Sequence, residues 1–357
     1  MAKANPIRLG IVGLGRAGWN MHCRELAGRE TKFQIVAGCD PIKERRALLA
    51  ETYGAKTYKT LDEMLRDPNV EMVDIANRQQ DHVPDALKAL RAGKYVFLEK
   101  PIAPSYKEAL KLKAAKNRKK LFIRHNRRFE PAFQHIREII ASGMLGNVYE
   151  IKLRRNNYQR RDDWQTLKKC AGGQLLNWGP HLVDHGLRFL ESPLAEMWRD
   201  LKLVAAVGDA EDHLKIILVG KNRRLIDIEI SGGAALSEPV YIVLGSKGAL
   251  TSDEKTIHLR YLDPKKKLAP RKAKTGTPPV SGFGSSDDLR WMEKTVPVAP
   301  KAKCDMDDIW DHLYSAVRER KPFPITLKES LEVMRVISEV KKGTPFNSAP
   351  RRRTKRR

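Results

Sequence analysis

Lys100 stands in the run Glu99-Lys100-Pro101, at the end of an apolar stretch. The proline after it disfavours helical backbone, so a strand end is expected there. An ammonium in that place can stabilise oxyanion character developing on a reacting hydroxyl, although a lone lysine at a strand end also fits solvated surface. Near the amino end, GLGRAG sets Gly13, Gly15 and Gly18 in a G-x-G-x-x-G pattern. Such spacing turns the chain tightly, lets backbone approach a pyrophosphate and lets a helix pack close to its strand. The phosphates then meet a helix N-terminus. Asp40 ends the next apolar run, where a carboxylate accepts hydrogen bonds from an adenosine ribose. That favours NAD, while Arg45 and Arg46 leave NADP open. A third constellation is GGQLLNWGPHLVDH, 172–185, with Asp184 between His181 and His185. Two histidines one helical turn apart suit a metal. No third ligand has helpful spacing, so no metal is assigned and His185 is expected to pack or cap locally.

A scaffold must bring these residues together. Short runs rich in β-branched and aromatic residues (7–12, 33–40, 71–77, 94–100, 121–125) alternate with helix-like stretches, two of which end at Gly54 and Gly93. Alternation of this kind gives a parallel sheet covered on both faces, a doubly wound α/β domain over residues 1–125. Ligands bind at the carboxyl edge of such a sheet. Beyond it come an amphipathic helix at 131–142 and a strand at 148–158. Further strands are expected at 201–208, 213–220, 223–233, 239–252 and 255–262, with turn dipeptides such as Gly220-Lys221 and Lys247-Gly248. Two helices follow, and Thr326 with Glu329 forms a capping-box pattern at the start of the second. The order is thus α/β then α+β, with a predominantly antiparallel second domain over 126–346 and a basic disordered tail over 347–357.

Composition narrows the function classes. A chain of 357 residues suggests two domains. Its 41% hydrophobic and 31% charged residues describe a soluble globular protein. No apolar run reaches the roughly 18 residues of a membrane span. The amino end leaves no room for a signal peptide before the first strand, so a cytoplasmic location is expected. The cysteines are scattered without C-x-x-C spacing, which indicates neither a disulfide framework nor a zinc knuckle. The net charge of +25 is concentrated in the segment 264–286 and in RRRTKRR at 351–357. Without interleaved aromatics, this reads as solubility and nonspecific attraction, and specific nucleic-acid binding is not expected.

GLGRAG, CDP (39–41), AGKYVFLEKP (92–101), RRFEPAF (127–133), GMLGNVYEI (143–151), GGQLLNWGPHLVD (172–184) and FPITLKESLEVMRVI (323–337) together resemble the Gfo/Idh/MocA oxidoreductases, from about Ile7 to Phe346. The resemblance implies an N-terminal Rossmann domain and a C-terminal open-faced, predominantly antiparallel sheet domain. A homodimer or homotetramer formed through that sheet is implied as well. So is hydride transfer between a nicotinamide cofactor and a hydroxyl or keto group of a sugar, sugar derivative or cyclitol. By resemblance, Gly13, Gly15 and Gly18 serve the phosphates, Asp40 the ribose, Asn77 and His82 the neighbourhood of the cofactor, and Lys100 and His181 catalysis. Arg16 and Glu99, inside the same two motifs, complete the cofactor set.

The family pattern usually has an aspartate four residues before the histidine that acts as general base. Asn177 stands there in this chain. As a third catalytic residue it can orient a hydroxyl, but it cannot stabilise an imidazolium by charge. His181 is therefore expected to be a weaker base, unless Asp184 or Asp163 supplies the charge. One alternative is a redox-neutral cycle with retained NAD that eliminates a glycosidic bond; another is a non-catalytic NAD-binding regulator. Tyr158, Arg160 and Trp164 are candidate substrate contacts, with Arg127 and Arg128 also in view.

Overall fold

The structure is a computed structural model that describes residues 5–273, 275–276 and 288–347. Six strands, β1 (Ile7–Val12), β2 (Phe33–Cys39), β3 (Lys56–Tyr58), β4 (Met72–Ile75), β5 (Tyr95–Glu99) and β6 (Leu121–Arg124), pair in the order β3-β2-β1-β4-β5-β6. All the pairings are parallel. The chain winds outward in both directions from β1, which opens a crevice at the carboxyl ends of β1 and β4. The helix Lys43–Tyr53 ends at Gly54, whose φ of 61° lets its N–H close on the Ala50 carbonyl. Buried Ile7, Leu9, Ile11, Val73 and Phe97 form the sheet interior, as continuous apolar strands covered on both faces require.

The second sheet contains β7 (Val148–Asn156), β8 (Leu194–Lys202), β9 (His213–Gly220), β10 (Leu225–Ser231), β11 (Tyr241–Gly245), β12 (Gly248–Ser252), β13 (Thr256–Leu262) and β14 (Trp291–Pro297). Its order is β14-β13-β12-β11-β7-β10-β9-β8. Only the β7–β10 pair among them is parallel. Leu214, Ile216, Leu218, Ile226, Ile228 and Ile230 form a buried face. The helix Gly179–Leu190 lies on it, with Gly186 against Ile226 and Ile228. The intervening residues Lys215, Asp227 and Glu229 sit on the open face and pair with one another.

Three expectations change. The strand expected at 201–208 instead ends at Lys202 and begins at Leu194. Residues after Lys202 leave the sheet because the Asp212 carboxylate accepts the N–H groups of Val204, Ala205 and Ala206. An edge strand, β14, was not anticipated. The division at residue 125 separates the two sheets but not the packing. The helix Asp308–Arg318 covers the first domain, with Trp310 ring centroids 5.5 Å from Phe33 and 4.9 Å from Phe97. The basic tail from 348 onward, residue 274 and residues 277–287 lie outside the described residues.

Candidate active site

The glycine turn is shaped by close packing. A Cβ on Gly13, where φ is +89°, would come within 2.6 Å of the Asn77 Cα. One on Gly18 would meet the Gly13 carbonyl oxygen at 2.0 Å. Side chains are excluded, and bare backbone faces outward where the next helix starts, a surface that fits a pyrophosphate. Asp40 is buried and accepts N–H bonds from Leu14 at 2.9 Å and Ile42 at 2.8 Å. Arg45 lies 3.3 Å from its carboxylate, and Arg46 donates to its carbonyl at 2.7 Å. A fixed acid at the end of β2, flanked by two guanidiniums, fits the ribose end of a dinucleotide. Arg16 is exposed on the turn. Asn77 donates through Nδ2 to Asp85 at 2.7 Å, while its buried Oδ1 has no partner.

Two residues expected among the cofactor contacts turn inward. His82 directs its ring nitrogens at the carbonyls of Pro101, 2.7 Å, and Asn77, 3.2 Å, and so braces the loops that carry them. Glu99 belongs to a buried ionic chain. His22 places Nδ1 2.7 Å from Asp74 and Nε2 3.0 Å from Glu99. Glu99 takes Arg124 at 2.8 Å, and Arg124 continues to Glu25, which accepts from Trp310 at 2.7 Å. Both His22 nitrogens face carboxylates, so both carry protons. Burial opposes the charge, but Asp74 and then Glu99 outweigh it and raise the His22 pKa to about 9.

Lys100 sits against this chain. Its N–H donates to Glu99 at 2.8 Å, and its ammonium reaches across to the Asn177 carbonyl at 3.1 Å. Burial, reinforced by Arg124, Arg127 and Arg16 against the pull of Glu99, lowers its pKa to about 8. His181 is buried in the first turns of the helix Gly179–Leu190. Burial first, then the charges of Lys100 and Arg127, hold its pKa well below the ordinary value. Its Nδ1 has no hydrogen-bond partner among the described residues. The structure thus brings together Lys100, His181 and the backbone of Asn177. The Asn177 amide itself only approaches Gln174, at 3.4 Å.

Neither acid considered as a source of charge for His181 is available. Asp184 is bidentate with Arg128, both bonds 2.7 Å, and Arg128 continues to Glu329 at 3.0 Å. Asp163 is held by Arg161 and the Gln165 N–H. His185 stacks on Phe133 at 3.9 Å between centroids and meets the Arg127 carbonyl at 2.8 Å, a packing role. Among the described residues, no group of three or more His, Cys, Asp or Glu side chains is arranged to hold a metal ion.

Of the candidate substrate contacts, Tyr158 is 61% exposed and Arg160 is also on the surface. Trp164 is half-buried beneath Arg78, whose guanidinium lies 5.4 Å from the ring centroid. Arg127 stacks on Trp178 at 4.5 Å, whereas Arg128 is spent in its carboxylate pairs. Sequence reasoning passed over His125, buried immediately after β6. A histidine closing an apolar strand of the same sheet as Lys100 was the available signal.

The model described as "Oxidoreductase family, NAD-binding Rossmann fold" matches residues 7–126, and the GFO/IDH/MocA C-terminal domain matches 133–251. The chain belongs to the GFO/IDH/MocA oxidoreductase family. An uncharacterized oxidoreductase of Schizosaccharomyces pombe is 25% identical over 96% of this chain and 99% of its own length. The scyllo-inositol 2-dehydrogenase (NADP(+)) of Bacillus subtilis is 24% identical, covering 94% of this chain and 93% of that protein. A solved NAD-binding protein from Listeria innocua shares the fold, with a TM-score of 0.77 at 22% identity over 93% of each chain. The chain is accordingly an NAD(P)-dependent oxidoreductase, and among its described residues no helix is long and apolar enough to cross a membrane.

Proposed function

We propose that the chain transfers a hydride between a nicotinamide cofactor and a hydroxyl or keto group of a sugar, sugar derivative or cyclitol. The observation that carries this reading is the 3.1 Å contact from Lys100 Nζ to the Asn177 carbonyl, which sets an ammonium of the first domain against the segment bearing His181. When bound, the nicotinamide supplies the hydride acceptor or donor. The residues Gly13, Gly18 and Asp40 hold its dinucleotide. Lys100 steadies the negative charge that grows on the substrate oxygen. His181, neutral at pH 7 and without an internal partner, exchanges the hydroxyl proton. The B. subtilis relative acts on an inositol, which supports the cyclitol end of this range.

The test is a panel of myo-inositol, scyllo-inositol, glucose and gluconate with NAD or NADP, followed by absorbance of the reduced cofactor. Turnover of at least one member is expected; silence across the panel in both directions counts against the reading. A redox-neutral, NAD-retaining cleavage of glycosides is the second reading, favoured by the Nδ1 of His181 having no hydrogen-bonded carboxylate among the described residues. It calls for glycoside cleavage with cofactor co-purifying and no net reduction. Assembly through the open face of the second sheet and a cytoplasmic location belong to the same proposal. Sedimentation of the purified chain as a monomer overturns the first of these.

A further inference from the structure

Five histidines are buried among the described residues: His22, His82, His125, His181 and His185. Three of them use both ring nitrogens internally, as His22 does with two carboxylates, His82 with two carbonyls, and His185 with the Arg127 carbonyl and the Tyr241 hydroxyl at 3.4 Å. Among the described residues the rings of His125 and His181 form no hydrogen bond, and the Nδ1 of each is enclosed. An unsatisfied buried polar group costs about 1–3 kcal/mol. Native structures keep few of them, and those that persist call for a functional explanation.

The two free rings are neighbours of one lysine. The parallel register pairs Glu99 on β5 with Arg124 on β6, and those side chains meet on one side of the sheet at 2.8 Å. Lys100 and His125 are the next residues off the two strand ends, side by side on the carboxyl edge. Side chains alternate along a strand, so both leave on the opposite side from Glu99 and Arg124. The Lys100 ammonium acts electrostatically on both His125 and His181, and His125 acts on His181. Lys100 and His125 leave adjacent strand ends, and the Lys100 ammonium contacts the Asn177 carbonyl, four residues before His181, so the chain directs the three groups toward one site.

We propose that His125 is a second imidazole of the reaction centre, contacting a substrate oxygen next to the one that Lys100 and His181 engage. This rests on the oxidoreductase reading above and narrows its substrate to a molecule with two neighbouring oxygens, a vicinal diol or its ketol. Burial first, against Asp184 and together with Arg128 and Lys100, lowers the His125 pKa to about 4. At neutral pH the ring is therefore an uncharged hydrogen-bonding group, and it selects and orients without moving the proton.

The experiment compares wild type with His125→Phe and His125→Asn, using the substrate from the panel that gives the highest turnover. The phenyl variant should lose roughly 10–100-fold in kcat/KM, the effect of one hydrogen bond in a buried site. Cofactor affinity, read by nicotinamide fluorescence, should stay within about two-fold, since His125 is assigned to substrate. The asparagine variant, which keeps a donor and an acceptor, should recover part of the loss. In thermal unfolding without substrate, His125→Phe should be as stable as wild type or more so, because it removes unsatisfied polar atoms. Wild-type kcat/KM in the phenyl variant, or a lowered Tm, overturns the proposal. Silence of the wild-type enzyme over the whole panel sinks the functional reading instead. The Tm then still decides whether the ring is structural.

Discussion

The two sides of Lys100 are built on opposite principles. Behind it, Asp74, His22, Glu99, Arg124 and Glu25 form one continuous ionic chain in the interior. In front, His125 and His181 are also buried yet have no hydrogen-bond partner among the described residues. Buried charges must be paired to be tolerated, so the rear side is support. The front side is where polarity is left for a substrate to satisfy. Burial alone does not distinguish the two; partner accounting does.

The contrast is breakable in graded ways. Replacing Lys100 by Ala should cost about 10³-fold or more in kcat/KM, the scale of losing a charge stabiliser in a dry site, with cofactor binding retained. A variant that turns over normally would falsify the role given to the front side. Replacing His22 by Ala leaves the buried Asp74 carboxylate without its cation, while Glu99 keeps Arg124, which should cost about 3–5 kcal/mol of stability, read by denaturant unfolding. The same residue gives a pH signature. Its folded pKa is raised above the ordinary 6.5, so its contribution is complete below pH 6.5 and fades as pH rises through about 9. Stability that is flat across that window argues against a protonated His22.

Lys100 has the opposite shift, downward to about 8. The kcat/KM should decline above about pH 8 as the ammonium is lost, while any acid limb lies below 6.5 because His181 resists protonation. A pH–rate profile rising through pH 9 excludes the ammonium as the working form. The smallest effect is expected from Asn177→Asp. A carboxylate near His181 should raise its pKa and move the acid limb upward by about one unit, and an unmoved limb shows that the side chain at 177 does not reach the ring.

Much of this was legible in the residues, but unevenly. The Rossmann half is written in local constraints: Gly13 and Gly18 at contacts that admit no Cβ, and Gly54 at a left-handed helix end. Lys100 and the 172–185 segment announced themselves by chemistry at a strand end and beside a helix start. What stayed hidden was which polar side chains the protein uses for itself. Glu99, His82 and Asp184 look the same in sequence whether they face a ligand or the interior, and their direction is fixed by Arg124, Pro101 and Arg128 through tertiary packing. The strand β8 was missed because LAEMWRDLK lies along an exposed edge and its apolar residues are interrupted by Glu196, Arg199, Asp200 and Lys202. The more apolar residues after it are drawn into a loop by Asp212, eight positions on from Val204.

The Trp310 contact has a consequence for how the chain matures. Phe33, Phe97 and Glu25 are synthesised well before the indole that covers the two rings and donates to that carboxylate, which follows Glu25 by 285 residues. The nucleotide-binding half emerges from the ribosome with an unsealed flank, and it gains its last wall only when the closing helices fold back over it.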